Sequence, residues 1–153
     1  MPRQLILLRH AEALPASGKV RDHDRPLSAH GQGQAEAVAH QLLDQEVKLD
    51  LILCSSALRT RETAARTHRR FEHCRLEVLE ALYNADPVTL RAQLAAHAGQ
   101  AQCVMLVAHN PGISMLAGEL CALQGASGLA TAGVRIIPQP DQGDWRHLAV
   151  LTA

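Results

Sequence analysis

Aromatic residues are almost missing from this chain: one Phe, one Tyr and one Trp, 2% of 153 residues. Successive bases need aromatic platforms to stack on, so single-stranded nucleic-acid binding is disfavoured. Net charge is missing too, with 15 basic residues against 15 acidic ones. No overall field draws the chain to DNA or to an anionic membrane. No apolar run approaches the length of a membrane span. The first apolar run is too short for a secretory signal, and charged residues follow it at once. The four cysteines, Cys54, Cys74, Cys103 and Cys121, form no CxxC pair. They read as buried, reduced thiols, which fits a cytoplasmic protein.

Apolar residues make up 47% of the chain. With so few aromatics, the core must be Leu, Val, Ile and Ala. The length fits one domain with one core, taken as residues 1–153.

Strand and helix patterns alternate. Gln4 to Arg9 reads as a first strand, followed by a polar surface loop from Glu12 to Pro26. Ser28 is placed as a helix N-cap, and Ala35, Val38, Ala39, Leu42 and Leu43 recur at helical spacing behind it. Leu51 to Cys54 is a second strand. Ser55 or Ser56 is expected to cap the helix Ala57 to Arg69. Leu76 to Leu79 is a third strand, and Val88 to His97 a helix. Cys103 to Ala108 is a fourth strand. Asn110-Pro111 reads as a helix start with Asn as cap and Pro first, the helix running to Leu123. Val134 to Ile137 and His147 to Leu151 form a terminal antiparallel hairpin. The expected fold is α/β: a single-domain three-layer sandwich with a mainly parallel sheet and a C-terminal antiparallel edge hairpin.

In such sheets, ligands bind beyond the carboxyl ends of the strands. Three strand ends here carry a cation or an imidazole. Arg9-His10 closes the first strand. Arg59 follows the second, in the first turn of a helix, where a cation opposes the helix dipole at a cost of about a few tenths of a kcal/mol. A bound anion would explain that placement, and snorkelling into solvent is the plainer alternative. His109 follows the fourth strand. Two guanidiniums and two imidazoles at one sheet edge would repel without a counter-ion, and the planar fork of arginine suits phosphate.

These residues carry a family resemblance. Leu8-Arg9-His10-Ala11-Glu12 resembles the Arg-His signature of the histidine phosphatase, or phosphoglycerate-mutase-like, superfamily. Ser55 to Ala64 resembles its second motif, with Arg59 four residues after Ser55 and Thr63-Ala64 at the end. Asp24-Arg25-Pro26-Leu27-Ser28 with Gly31 and Gln34-Ala35 is similar to the segment after the first motif. Val107 to Pro111 resembles the third. The short chain is most similar to the SixA-type phosphohistidine phosphatases. The family usually has Pro where this chain has Ser56.

The resemblance implies that His10 is the nucleophile and that Arg9, Arg59 and His109 bind phosphoryl oxygens. Flanking cations should keep His10 unprotonated and able to attack phosphorus in line. The resemblance implies no metal or other cofactor. His68, His73 and Cys74 lie close in sequence without matching second ligands. Arg21 is either a further phosphate ligand or a solvated loop arginine, and Arg25 has the same two readings. Many relatives use a carboxylate after the third strand to protonate an alcohol leaving group. Glu80 stands near that place, with Glu77 and Asp86 close by, and is either that acid or a solvated loop-edge residue.

The substrate class turns on this acid, because an alkoxide leaves poorly without a proton whereas imidazole leaves more easily. Residues 70–87 are also short for a lid, so the site should be open to another protein. The leading expectation is therefore removal of a phosphoryl group from phosphohistidine in a protein, such as a histidine-containing phosphotransfer domain. A small phosphomonoester, such as a sugar or nucleotide phosphate, is the alternative substrate. A non-catalytic phosphate-binding or phosphoprotein-binding module is the alternative from another class. Gly31-Gln32-Gly33 follows a loop rather than a strand, so a dinucleotide fingerprint fails.

Overall fold

The computed structural model describes residues 4–121 and 128–138. Within them a five-stranded sheet takes the order β3-β2-β4-β1-β5. The strands are β1 Gln4–Arg9, β2 Leu51–Ser55, β3 Arg75–Leu79, β4 Cys103–Ala108 and β5 Val134–Pro138. The first four are mutually parallel, and β5 pairs antiparallel with β1 at the edge. The second strand expected for the terminal hairpin, His147 to Leu151, lies outside the described residues.

Side chains alternate across a strand, so each strand serves two cores. Leu5, Leu7, Leu51, Leu53, Val104 and Leu106 face one layer, packed by α3 (Pro87–His97) and α4 (Gly112–Leu120). Ile6, Leu8, Ile52, Cys54, Met105 and Val107 face the other, packed by α1 (Ala29–Asp44) and α2 (Leu58–His68). Continuous apolar runs are what a sheet covered on both faces requires. The three layers are those expected. All four cysteines are buried and unpaired.

The α1 cap is as expected: the Ser28 hydroxyl accepts from the Gly31 amide. Two other helix starts differ from the sequence reading. The N-cap of α2 is Ala57, with no capping side chain. Ser55 ends β2 instead and turns its hydroxyl to His109. Helix α4 opens at Gly112, behind Pro111. The Asn110 side chain does not cap it, because its amide donates to Leu129 O and its oxygen accepts from Ser114. Helix α3 begins one residue early, with Asp86 capping the Thr89 amide.

Two glycines are fixed by close backbone approach. A Cβ on Gly31 would stand 1.9 Å from Glu12 O, and one on Gly112 would stand 1.9 Å from Ala85 O. The first lets α1 press against the chain leaving β1. The second lets the turn after β3 press against α4. Both contacts shape the carboxyl edge of the sheet.

β1 and β4 run in step, with Arg9 level with Ala108. His10 and His109 are therefore the next residue on each strand, and the His10 amide donates to Ala108 O at 3.2 Å.

Candidate active site

The structure gathers Arg9, His10, Arg59 and His109 at the carboxyl edge of the sheet. The rings of His10 and His109 lie 5.5 Å apart, centroid to centroid. Both histidines are buried, as is Arg59. Arg59 does not snorkel. It is the second residue of α2, and its side chain is only 5% exposed.

His10 is held by its own segment. Its Nδ1 lies 2.7 Å from Ala11 O. A carbonyl can only accept, so Nδ1 carries the proton and Nε2 keeps its lone pair. The segment is tied to α2 by Thr63, whose hydroxyl accepts from the Ala11 amide at 3.0 Å and donates to Arg59 O at 2.7 Å. The Thr of the second motif thereby links the residue after His10 to the residue that supplies the guanidinium.

His109 Nε2 lies 2.7 Å from Ser55 Oγ. The Ala57 amide also donates to that oxygen. Ser55 is buried and its hydroxyl meets no other acceptor among the described residues, so its proton points at His109 Nε2 and His109 carries its own proton on Nδ1. That Nδ1 is buried with no partner, as are Arg9 Nε and Arg59 Nε. Arg66 Nε and Arg91 Nε, away from this edge, likewise make no hydrogen bond. What marks the site is the gathering of guanidiniums around two buried imidazoles, which calls for an anion. Arg9 is steadied by Leu129 O, which accepts from Nη1 at 3.2 Å.

The electrostatics follow from burial among cations. Burial lowers the His10 pKa to about 4, with Arg59, Arg9 and Arg25 adding to the shift and the Ala11 hydrogen bond opposing it. Burial also lowers His109 to about 3, helped by Arg59 and His10 and opposed by Asp22. Both imidazoles are neutral at neutral pH.

Three sequence candidates stand elsewhere. Arg21 is largely exposed and pairs with Asp24 at 3.2 Å. Arg25 orders the loop, donating to Leu14 O and to Asp22. Glu80 is exposed at the start of the 3-10 turn Glu80–Leu82, its carboxylate without a hydrogen bond or ion pair among the described residues. His68 Nε2 meets Cys74 O. Among the described residues no three His, Cys, Asp or Glu side chains gather as a metal site.

Sequence reasoning missed Asp22, His23 and Tyr83 as members of the site. The Asp22 carbonyl accepts from Arg59 Nη1 at 2.8 Å, and its carboxylate accepts from Arg59 Nη2 at 3.2 Å. The carboxylate also accepts hydrogen bonds from the Tyr83 hydroxyl and from Arg25. The Tyr83 ring stands 5.4 Å from that of His109 and 4.9 Å from that of His23. His23 Nε2 lies 2.9 Å from Ser56 Oγ, the position where the family usually has proline. Asp22 is 37 residues from Arg59 and 61 from Tyr83. The one local signal was its place three residues before Arg25.

A buried neutral imidazole with a free lone pair, set among guanidiniums and a second imidazole, is the arrangement of a phosphoryl-transfer site. The family comparison agrees. Residues 5–95 match the model of the histidine phosphatase superfamily, branch 1. The chain belongs to that superfamily. It is a metal-independent phosphatase of the histidine-nucleophile kind. A crystal structure from Agrobacterium tumefaciens bearing the SixA phosphohistidine phosphatase name is 35% identical, with a TM-score of 0.83 over 91% of this chain and 93% of that one. The protein histidine phosphatase SixA, solved with tungstate, is 25% identical, with a TM-score of 0.78 over 92% of this chain and 91% of that one. An uncharacterised protein of Mycobacterium leprae is 29% identical over 95% of this chain and 94% of its own length. No helix among the described residues of this superfamily member is long and apolar enough to cross a membrane.

Proposed function

We propose that this phosphatase removes the phosphoryl group from phosphohistidine in a protein, with His10 as the nucleophile. The observation that carries the reading is the state of His10: Nδ1–H is spent on Ala11 O, and Nε2 is free among buried donors. Nε2 attacks phosphorus in line, the imidazole of the substrate departs, and water later releases phosphate from His10. Arg9, Arg59 and His109 supply the donors for the three non-bridging oxygens. Fixed donors of this kind stabilise the charge of the transition state without having to reorganise.

The missing acid supports phosphohistidine over an ester. Glu80 is exposed, and its carboxylate makes no hydrogen bond or ion pair among the described residues. Asp22 reaches it, but the Tyr83 hydrogen bond, helped by Arg25 and Arg59, holds its pKa down to about 2. An ionised carboxylate has no proton to give an alkoxide. The likeness to SixA phosphohistidine phosphatases points the same way. The partner would then be a phosphorylated protein such as a phosphotransfer domain, met in the cytoplasm.

The test is turnover of a histidine-phosphorylated protein against a panel of small phosphomonoesters, with acid-quench trapping of radiolabelled phosphoenzyme. Label on the wild type and none on His10→Ala is expected. Turnover of small esters alone would remove the protein substrate, and full activity in His10→Ala would remove the nucleophile.

A further inference from the structure

Resting on the phosphohistidine reading, we propose that Asp22 is the specificity-determining residue of the pocket. Its carboxylate, shared with Arg59 and Arg25, braces Arg59 from outside and places an anionic acceptor at the mouth, favouring a phosphorylated imidazole that carries a proton on its far nitrogen.

The geometry separates two sides of Arg59. Asp22 takes one hydrogen from Nη1 and one from Nη2. Nε–H remains buried and unpartnered. A guanidinium has five N–H donors in a rigid plane, so holding the Nη end fixes the direction of the Nε edge. Asp22 therefore orients the donor that phosphate needs without occupying it.

The same carboxylate lies on the outward side. The Arg59 side chain is 5% exposed, and that of Asp22 is 46% exposed. Rings step outward in the same sense, from buried His10 and His109 to half-buried Tyr83 and His23. His10 attacks from the floor, so in-line displacement sends the leaving group toward this mouth. Asp22 is close enough to both worlds to act: its charge is felt by His109, and its oxygens bond Tyr83 and Arg25.

The chemistry then divides by leaving group. In the favoured substrate one ring nitrogen is bonded to phosphorus and the other carries a proton, so the ring is cationic. His10 Nε2 supplies the electron pair of the new N–P bond. The old P–N bond breaks, its pair returns to the ring nitrogen, and neutral imidazole leaves. No proton has to be delivered. With an alkyl ester the pair goes to oxygen, which gathers negative charge facing Asp22 and needs a proton that Asp22 does not hold. A nearby opposite charge favours the protonated ring, and a like charge opposes the alkoxide.

The experiment compares kcat/KM on a phosphohistidine peptide and on the same peptide with phosphoserine, for wild type, Asp22→Asn, Asp22→Ala and His10→Ala. Asparagine keeps an oxygen for Arg59 and removes the charge. Asp22→Asn should lower the phosphohistidine-to-phosphoserine ratio about tenfold, the effect of one pKa unit on the leaving ring. The alkaline limb of its kcat on phosphohistidine, which reports the bound ring, should move to lower pH. Asp22→Ala keeps the carbonyl bond to Nη1 but loses the carboxylate bond to Nη2, so it should add an equal, smaller loss on both peptides as Arg59 loosens. An unchanged ratio in Asp22→Asn overturns the role of Asp22 and leaves the phosphohistidine reading intact. Absence of wild-type phosphohistidine turnover, or its persistence in His10→Ala, sinks the underlying reading and Asp22 with it.

Discussion

Arginines gather at two places on this chain, under opposite conditions. On the outer face of α1 and α2, Arg66, Arg69 and Arg70 share the carboxylate of Glu36, and Arg69 is 63% exposed. At the carboxyl edge of the sheet, Arg59 is buried, and its one carboxylate among the described residues is Asp22. Arg69 and Arg70 are exposed, hydrated and screened, and Arg66 keeps part of its surface in water, so Glu36 has little to do. A buried cation has lost its water and must be compensated. The contrast separates arginines that decorate a surface from those that wait for an anion.

The sharpest break falls on the buried side. His10→Ala should cut kcat by on the order of a thousandfold or more and abolish the phosphoenzyme, as expected when a nucleophile is lost. Rapid-quench labelling reads this directly. Arg59→Ala should lower kcat/KM by about a hundredfold or more, the scale of one lost transition-state donor. Arg59→Lys should not restore it, because an ammonium lacks the rigid planar fork that faces Asp22 with one edge and phosphate with another.

Lowering the pH tests the same burial. With His10 held to about 4, log kcat/KM should stay level from neutral pH to about 5 and fall as pH drops through about 4, because the protonated ring cannot attack. Stability shifts with the same sign. Unfolding returns His10 and His109 toward about 6.5, so the unfolded chain binds more protons below that value. The melting temperature should therefore be steady above about pH 6.5 and decline toward pH 4, less steeply in His10→Asn. A melting series with no such difference would contradict the buried neutral state.

The smallest effect belongs to the surface cluster. Glu36→Ala should change stability by about 1 kcal/mol or less and leave kcat/KM within about twofold. Chemical denaturation beside the activity assay checks both. A large loss of activity would erase the contrast between the two clusters.

Much of this was legible in the chain. Apolar runs of five or six residues between helical patterns are enough for a covered parallel sheet, and the strand ends named Arg9, His10, Arg59 and His109. What stayed hidden depends on distance along the chain. Ser55 reads locally as a cap, yet its hydroxyl goes to a residue 54 positions away. Asn110 reads as a cap too, until Leu129 and Ser114 take its side chain. Arg21 and Asp22 are neighbours in one polar loop. Only the fold decides that Arg21 turns to Asp24 and Asp22 to Arg59. Glu80 was placed by analogy with longer relatives, and nothing in its own surroundings draws it to the cluster.

The matched rungs of β1 and β4 have one more consequence. Because Arg9 and Ala108 are level, His10 and His109 meet only while both strands keep the same count. A strand alternates its faces at every residue, so one residue added within β4 would turn His109 to the opposite layer. The site is thus written in the phase of the sheet as much as in its side chains. Leu, Ile and Val can trade places along these strands with modest harm, but a frame of one cannot slip.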